Sequence, residues 1–150
     1  MADSDLIKLY SARILELAST IPHAGRLATP DLSVTRRSPQ CGSTITIDLC
    51  MTDGQISAFG QDVKACALGQ ASAALVGANI LGRSLDEVAT ARDALCAMLA
   101  DGAAPPEAPF DGFEVLTPAA EFKNRHASIL LAFDATVEAM TALAAKPATA

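Results

Sequence analysis

The stretch TITIDLCM at residues 44–51, followed by DG at 53–54 and QISAF at 55–59, decides the fold. Residues 44–51 alternate between polar and apolar, which predicts a strand with one buried face. An Asp-Gly pair favours the tight turn of a β-hairpin, so 55–59 is the returning strand. Residues 32–37 are a weaker strand candidate, which would complete a three-stranded antiparallel sheet.

Helical patterns lie on both sides of the predicted hairpin. Apolar residues at helical spacing predict a first helix over about 4–19, capped by Asp3 or Ser4 and ended by the turn at 21–25. After the hairpin, small residues predict a helix over 65–81, and a capping box at 84–87 predicts another over 85–100. Residues 103–120 hold four prolines and are expected to form a loop, and a last amphipathic helix begins near 125.

This order of elements defines a fold class. Strands followed by a block of helices indicate an α+β protein: a three-stranded antiparallel sheet with helices packed on one face, framed by an N-terminal and a C-terminal helix. The 150 residues suit one domain, 1–150, with a single core.

Composition and charge exclude several classes of function. A net charge of −6 provides no basic footprint for nucleic acid or an anionic membrane surface. We find no apolar run of membrane-spanning length, and the acidic N-terminus lacks a secretory signal, so a cytoplasmic protein is expected. Four cysteines in that compartment are expected to be reduced, which favours metal or redox chemistry over disulfides.

Two of the cysteines lie where reactive sulfur is most plausible. Cys41 comes just before the first hairpin strand, and Cys66 lies at the start of the helix that follows the second. The positive end of a helix dipole, with Lys64 nearby, favours the thiolate form of Cys66. A three-stranded sheet would bring both thiols to the same end, where they supply half of a tetrahedral zinc or iron–sulfur site. The competing interpretation is two buried structural cysteines.

A third ligand would have to come from elsewhere, and His126 at the start of the last helix is the best donor, although a local hydrogen bond is an equally good role for it. Cys50 and Cys96 fit small core or boundary positions, and His23 fits a solvated or capping residue. The sequence contains no nucleophile elbow and no phosphate-binding glycine loop, so an enzyme is not expected.

Several ordered motifs resemble the iron–sulfur cluster assembly scaffold family, the NifU/IscU/SufU-like proteins, over nearly the whole chain. The turn IPHAGRL at 21–27 looks like the turn after that family's opening helix, and SPQCGS at 38–43 looks like its first cysteine motif. ACA at 65–67 with QASA at 70–73 looks like its second cysteine motif. GRSLDE at 82–87 closely matches a further family turn.

The chain departs from this family at two ligand positions. Ser43 stands where the family has an aspartate, and the third family cysteine has no thiol counterpart. Two alignments are possible for this position. Aligning the apolar residues of the last helix places Ser128 there, and this alignment needs no gap. Aligning His126 on a family histidine places Ala127 there instead. A serine hydroxyl is a poor ligand for soft metals, so these exchanges should weaken metal binding.

The resemblance implies a scaffold or carrier for sulfur and iron. Cys41 and Cys66 would bind iron, an iron–sulfur cluster or zinc, or accept persulfide sulfur, with His126 as third ligand. Ser43 and Ser128 would supply oxygen or hold water. The implied partners are a cysteine desulfurase and cluster acceptor proteins. The alternative is a metal-free or zinc-only adaptor that keeps the scaffold fold for protein contacts.

Overall fold

A computed structural model of the chain describes residues 11–39 and 42–145. The fold is α+β, as predicted. Its strands are β1 (Leu32–Arg37), β2 (Thr44–Thr52) and β3 (Gln55–Lys64), and its α-helices are α1 (Ala12–Ser19), α2 (Ala67–Asn79), α3 (Leu85–Asp101) and α4 (His126–Ala145). Two 3₁₀ helices, Asp111–Glu121 and Lys123–Arg125, connect α3 to α4.

The three strands form one antiparallel sheet in the order β1-β2-β3, which confirms the predicted hairpin and the weaker third strand. Asp53 and Gly54 both have positive φ, 54° and 78°, as the tight turn between twisted strands requires. β3 continues to Lys64, beyond the predicted end at 59, because it stays paired with β2 as far as Thr44.

The core lies between the sheet and the helices on one of its faces. Helix α4 packs on β1 and β2, and α2 packs on β3, while α3 contacts α4 and α1 contacts α2. The inward side chains of β2 are buried, as the alternation predicted, and Met51 is half-buried after a register shift at 50–51. Burial of this apolar surface is the main stabilising contribution to such a fold.

Two predicted helix ends depend on local hydrogen bonds. Ser84 and Glu87 form the predicted capping box, each side chain accepting from the other residue's backbone N–H. Helix α3 ends at Gly102, whose φ of 70° suits a residue without Cβ. Helix α1 is capped by the Ser11 hydroxyl; the predicted caps Asp3 and Ser4 lie outside the described residues.

The expectation of a loop over 103–120 is wrong in its second half. Residues 111–121 form a 3₁₀ helix whose buried side chains are Phe113, Leu116 and Ala119. Their spacing of three residues matches the period of a 3₁₀ helix, so all three face the core. The prolines of this segment indicated a loop and obscured that periodicity.

The expectation that no apolar run could span a membrane also needs correction. The helical stretch Lys123–Ala145 is long and apolar enough by length and composition, with a mean hydropathy of 1.5. Half of the most apolar 18-residue segment of this stretch is buried within the fold. Its buried face, which includes Ile129, Phe133 and Met140, packs in the core, so the stretch serves here as a core helix.

The segment after α1 is attached to the sheet by a buried carboxylate. Asp48 of β2 accepts hydrogen bonds from the Arg26 guanidinium, the Ser33 hydroxyl and the Leu27 N–H. Gly60, which pairs with Asp48, lets this segment approach, since a Cβ there would lie 2.8 Å from Gly25 O. Burial opposes ionisation of Asp48, but the hydrogen bonds and the Arg26 charge outweigh it and hold its pKa below the usual range.

Candidate functional site

Cys66 is the N-cap residue of α2. Its backbone is extended, with φ −66° and ψ 170°, and its side chain makes no capping hydrogen bond. The thiol is half-buried and free of any disulfide among the described residues. The N-terminus of α2 therefore presents this sulfur at the end of the sheet where β3 finishes.

A buried serine from the last helix meets that thiol. Ser128, in the first turn of α4, has its Oγ 3.5 Å from Cys66 Sγ and 3.1 Å from Ser43 Oγ. Ser43 and Ser128 are 3% and 1% exposed, respectively. We call Ser43, Cys66 and Ser128 the site cluster: a thiol and two hydroxyls brought together from a loop, α2 and α4.

The close approach of α2 and α4 depends on a small residue that the sequence analysis did not single out. Gly69 has no side chain, and a Cβ there would lie 2.6 Å from Ser128 Oγ. One turn later the Ser72 hydroxyl donates to the Ile129 carbonyl and joins the two helices. An isolated glycine inside a helical pattern is a usable signal for such a contact.

The loop before β2 is closed by backbone hydrogen bonds. Ser38 N–H donates to Ser43 O at 2.8 Å, and Gly42 N–H donates to Ser38 O at 2.9 Å. Gly42 has φ 72°, a conformation that glycine adopts without strain. Cys41, the first predicted ligand, lies outside the described residues.

His126 lies against the end of the first 3₁₀ helix. Its Nε2 is 3.1 Å from both the Ala119 and Ala120 carbonyl oxygens. Carbonyl oxygens only accept, so Nε2 is the donor in these contacts and carries a proton. Because residues two apart in a helix do not face each other, the orientation of Ser128 toward Cys66 is not shared by His126.

The other predicted residues lie apart from the site cluster. Cys50 is half-buried on β2, with its Sγ 3.5 Å from Thr29 O. Cys96 is exposed on α3, not at the core or its boundary as expected. His23 has φ 59° in the turn after α1 and an edge-to-face contact with Phe59. Within 11–39 and 42–145, no three His, Cys, Asp or Glu residues gather as a metal site.

Comparison with solved structures identifies the family. A crystal structure of a nitrogen-fixing NifU-like protein (N-terminal) from Brucella abortus is 40% identical, with a TM-score of 0.93, and the match covers 95% of this chain and 99% of that one. The chain therefore belongs to the NifU-like family, as its motifs predicted. No family model and no curated protein sequence matches it.

A more distant structure shares the fold. A protein from Fervidobacterium islandicum AW-1, named as an iron–sulfur cluster assembly scaffold protein for the SUF system, is 18% identical with a TM-score of 0.79. The match covers 89% of this chain and 98% of that one. This likeness supports the three-stranded sheet and its covering helices.

Proposed function

We propose that this protein is a scaffold or carrier in iron–sulfur cluster assembly, acting through the thiols of Cys41 and Cys66. The observation that carries the proposal is the site cluster. The family resemblance aligns Ser43, Cys66 and Ser128 with ligand positions far apart in sequence, and the Ser128 hydroxyl lies within hydrogen-bonding distance of the other two side chains. The convergence of side chains that are distant in sequence and belong to different elements favours a common functional site.

The chemistry proposed for Cys66 is acceptance of sulfur from a cysteine desulfurase. The Cys66 thiolate attacks the outer sulfur of the partner's persulfide and forms a new S–S bond. The partner's S–S bond breaks and its cysteine leaves as a thiolate, so no external oxidant or reductant is consumed. The Ser128 hydroxyl can donate a hydrogen bond to the sulfur that carries the charge.

Binding of iron, a cluster or zinc is the more demanding part of the proposal. The described residues provide one thiol and two hydroxyls at the cluster, and hydroxyls are weak ligands for soft metals. Cys41 would have to supply the second thiolate. His126, which is on a different side of α4 from Ser128, would have to reach the metal through Nδ1 as the third ligand. A ligating histidine ordinarily donates its other ring N–H to a carbonyl, as His126 Nε2 does.

The alternative function is a metal-free or zinc-only adaptor that retains the fold for protein contacts. It is favoured by the chemistry of the site cluster, because the Ser43 and Ser128 hydroxyls hydrogen-bond each other and are weak ligands for soft metals. In either case the proposed partners are a cysteine desulfurase and cluster acceptor proteins, in the cytoplasm, and the protein is not itself an enzyme.

Sulfur transfer and metal content separate the two functions. We would incubate the protein with a cysteine desulfurase and cysteine, and locate added sulfur by mass spectrometry of alkylated peptides. Sulfur on Cys41 or Cys66, absent from Cys50 and Cys96, supports the carrier. Stoichiometric zinc that is lost in Cys66→Ser, without sulfur transfer, supports the zinc adaptor, and neither zinc nor sulfur supports the metal-free one.

A further inference from the structure

The charged residues of this protein are distributed unevenly. Five described arginines each lie within ion-pair distance of a carboxylate: Arg13, Arg26, Arg36, Arg83 and Arg92. The remaining basic residues in the described ranges have no carboxylate within that distance: Arg37, Lys64, Lys123 and Arg125. We call these four residues the basic rim.

Two members of the basic rim lie at the end of the sheet beside the site cluster. Arg37 and Lys64 both pair with Thr44, one on each side, so the three form a row across the sheet. Neighbouring strands are about 4.8 Å apart, which places the two backbones about 10 Å from each other. Thr44 directly follows Ser43 of the site cluster. An Arg37 guanidinium nitrogen lies 3.9 Å from the position that a Cβ on Gly42 would take, so Arg37 lies against the loop that holds Ser43.

The other two members precede α4. Lys123 and Arg125 form the short 3₁₀ helix that leads directly into the turn holding Ser128. Arg125 is three residues before Ser128, the spacing that puts side chains on the same side of a helix. The N-terminal ends of α2 and α4 both lie at this site, and their dipoles add positive potential.

The local charge contrasts with that of the whole protein. Three segments make up the site end of the chain: residues 37–46, 62–72 and 121–131. Together they contain four basic and two acidic side chains, whereas the rest of the chain contains seven basic and fifteen acidic side chains. The two nearby acids, Asp62 and Glu121, are exposed and form no ion pair with the basic rim. On an acidic protein, cations without a carboxylate partner leave a local positive potential beside the site cluster.

We infer that the basic rim is a docking surface for a protein partner that presents carboxylates around its own reactive sulfur. This inference rests on the proposed function for the identity of that partner, a cysteine desulfurase. The carboxylates would orient the partner over Cys66, and they would speed association more than they tighten the complex. Four cations at one end of a protein with net charge −6 are a poor footprint for RNA.

The first test measures the potential at Cys66 without any partner. In a variant whose single cysteine is Cys66, we would compare its reaction rate with a dianionic aryl disulfide, dithiobis(nitrobenzoate), and with neutral dithiodipyridine. The dianion rate should fall with added salt and drop about tenfold in Lys64→Gln/Lys123→Gln, with the neutral reagent unaffected. The control Arg13→Gln/Arg83→Gln changes net charge equally; equal dianion rates in both variants would overturn the inference.

The second test measures docking itself. Carbodiimide, which joins lysines to carboxylates in direct contact, should crosslink a cysteine desulfurase to Lys64 or Lys123, and the lysine variant should transfer sulfur more slowly at low salt. Crosslinks only to other residues, or single-stranded RNA bound through the basic rim in place of the desulfurase, would contradict the inference. Inorganic polysulfide, a donor that requires no docking, separates the outcomes. If the protein accepts sulfur from polysulfide but the lysine variant accepts sulfur from the desulfurase as fast as wild type does, the docking surface is refuted while the proposed function stands.

Discussion

The Ser128 hydroxyl lies 3.5 Å from the Cys66 thiol, although 62 residues separate them in sequence. This contact is the one expected from the ungapped alignment of the last helix, in which Ser128 stands at the position of the third family cysteine. It also explains why metal binding should be weak in this chain. A hydroxyl occupies a position from which a thiolate could bind metal.

Replacing Ser128 by cysteine should therefore strengthen metal binding. A softer ligand at this position is expected to raise zinc affinity by roughly one to three powers of ten. The measurement is competition with a chromogenic chelator. Ala127→Cys is the matched control, and a gain in that variant alone would show that the alternative alignment is correct.

Gly69→Ala should destabilise the protein even though alanine favours helix by about 1 kcal/mol over glycine. The added Cβ would lie 2.6 Å from Ser128 Oγ and 2.8 Å from Ala65 Cβ. Overpacking of this kind costs about 1–3 kcal/mol, which should exceed the gain in helix propensity. Urea unfolding would compare Gly69→Ala, Ser128→Ala and the double variant. The double variant should lose less stability than the sum of the two single losses, and strictly additive losses would contradict the contact.

Asp48 should make stability dependent on acid pH. Because its pKa is lowered in the folded protein, its stabilising contribution is present above the unfolded value, about 4, and disappears as pH falls through the folded value. Asp48→Ala should cost about 2–3 kcal/mol at pH 7, because buried donors lose a charged acceptor. Urea unfolding of both proteins at neutral and acid pH should give converging stabilities; a constant difference would contradict this role.

His126→Ala tests the proposed third ligand against a structural role. If Nδ1 binds metal, zinc affinity should fall at least tenfold, since one of few ligands is lost. His23→Ala, in an exposed turn, should leave zinc affinity unchanged. Reduced stability with unaltered zinc affinity would assign His126 solely to the contact with the Ala119 and Ala120 carbonyls.

Local signals in the sequence predicted most of the fold. The Asp53-Gly54 turn and the Ser84–Glu87 capping box are specified by neighbouring residues, so both appear where the sequence places them. The 3₁₀ helix at 111–121 was missed because its prolines indicate a loop. The position of Gly69 inside a helical pattern indicates a close approach, but its partner Ser128 depends on how two distant helices cross, which the local pattern does not encode.

The candidate site was predictable only in part for the same reason. Cys66 could be placed at a helix start from its neighbours, but its contact with Ser128 required the family resemblance. The basic rim was hidden in the sequence by a net charge of −6. Its four members stand out only because the other described cations form ion pairs with carboxylates. Three of those ion pairs join residues far apart in sequence, so the sequence alone does not reveal them.

The central claim, a scaffold or carrier acting through Cys41 and Cys66, is tested most directly by anaerobic reconstitution. Wild type, Cys66→Ser and Cys50→Ser would be incubated with iron, sulfide and reductant, desalted, and assayed for bound iron, acid-labile sulfide and cluster absorbance. We predict iron and sulfide on wild type and Cys50→Ser, and their loss from Cys66→Ser. No iron or sulfide on any of the three, together with no persulfide on Cys41 or Cys66, would contradict the claim.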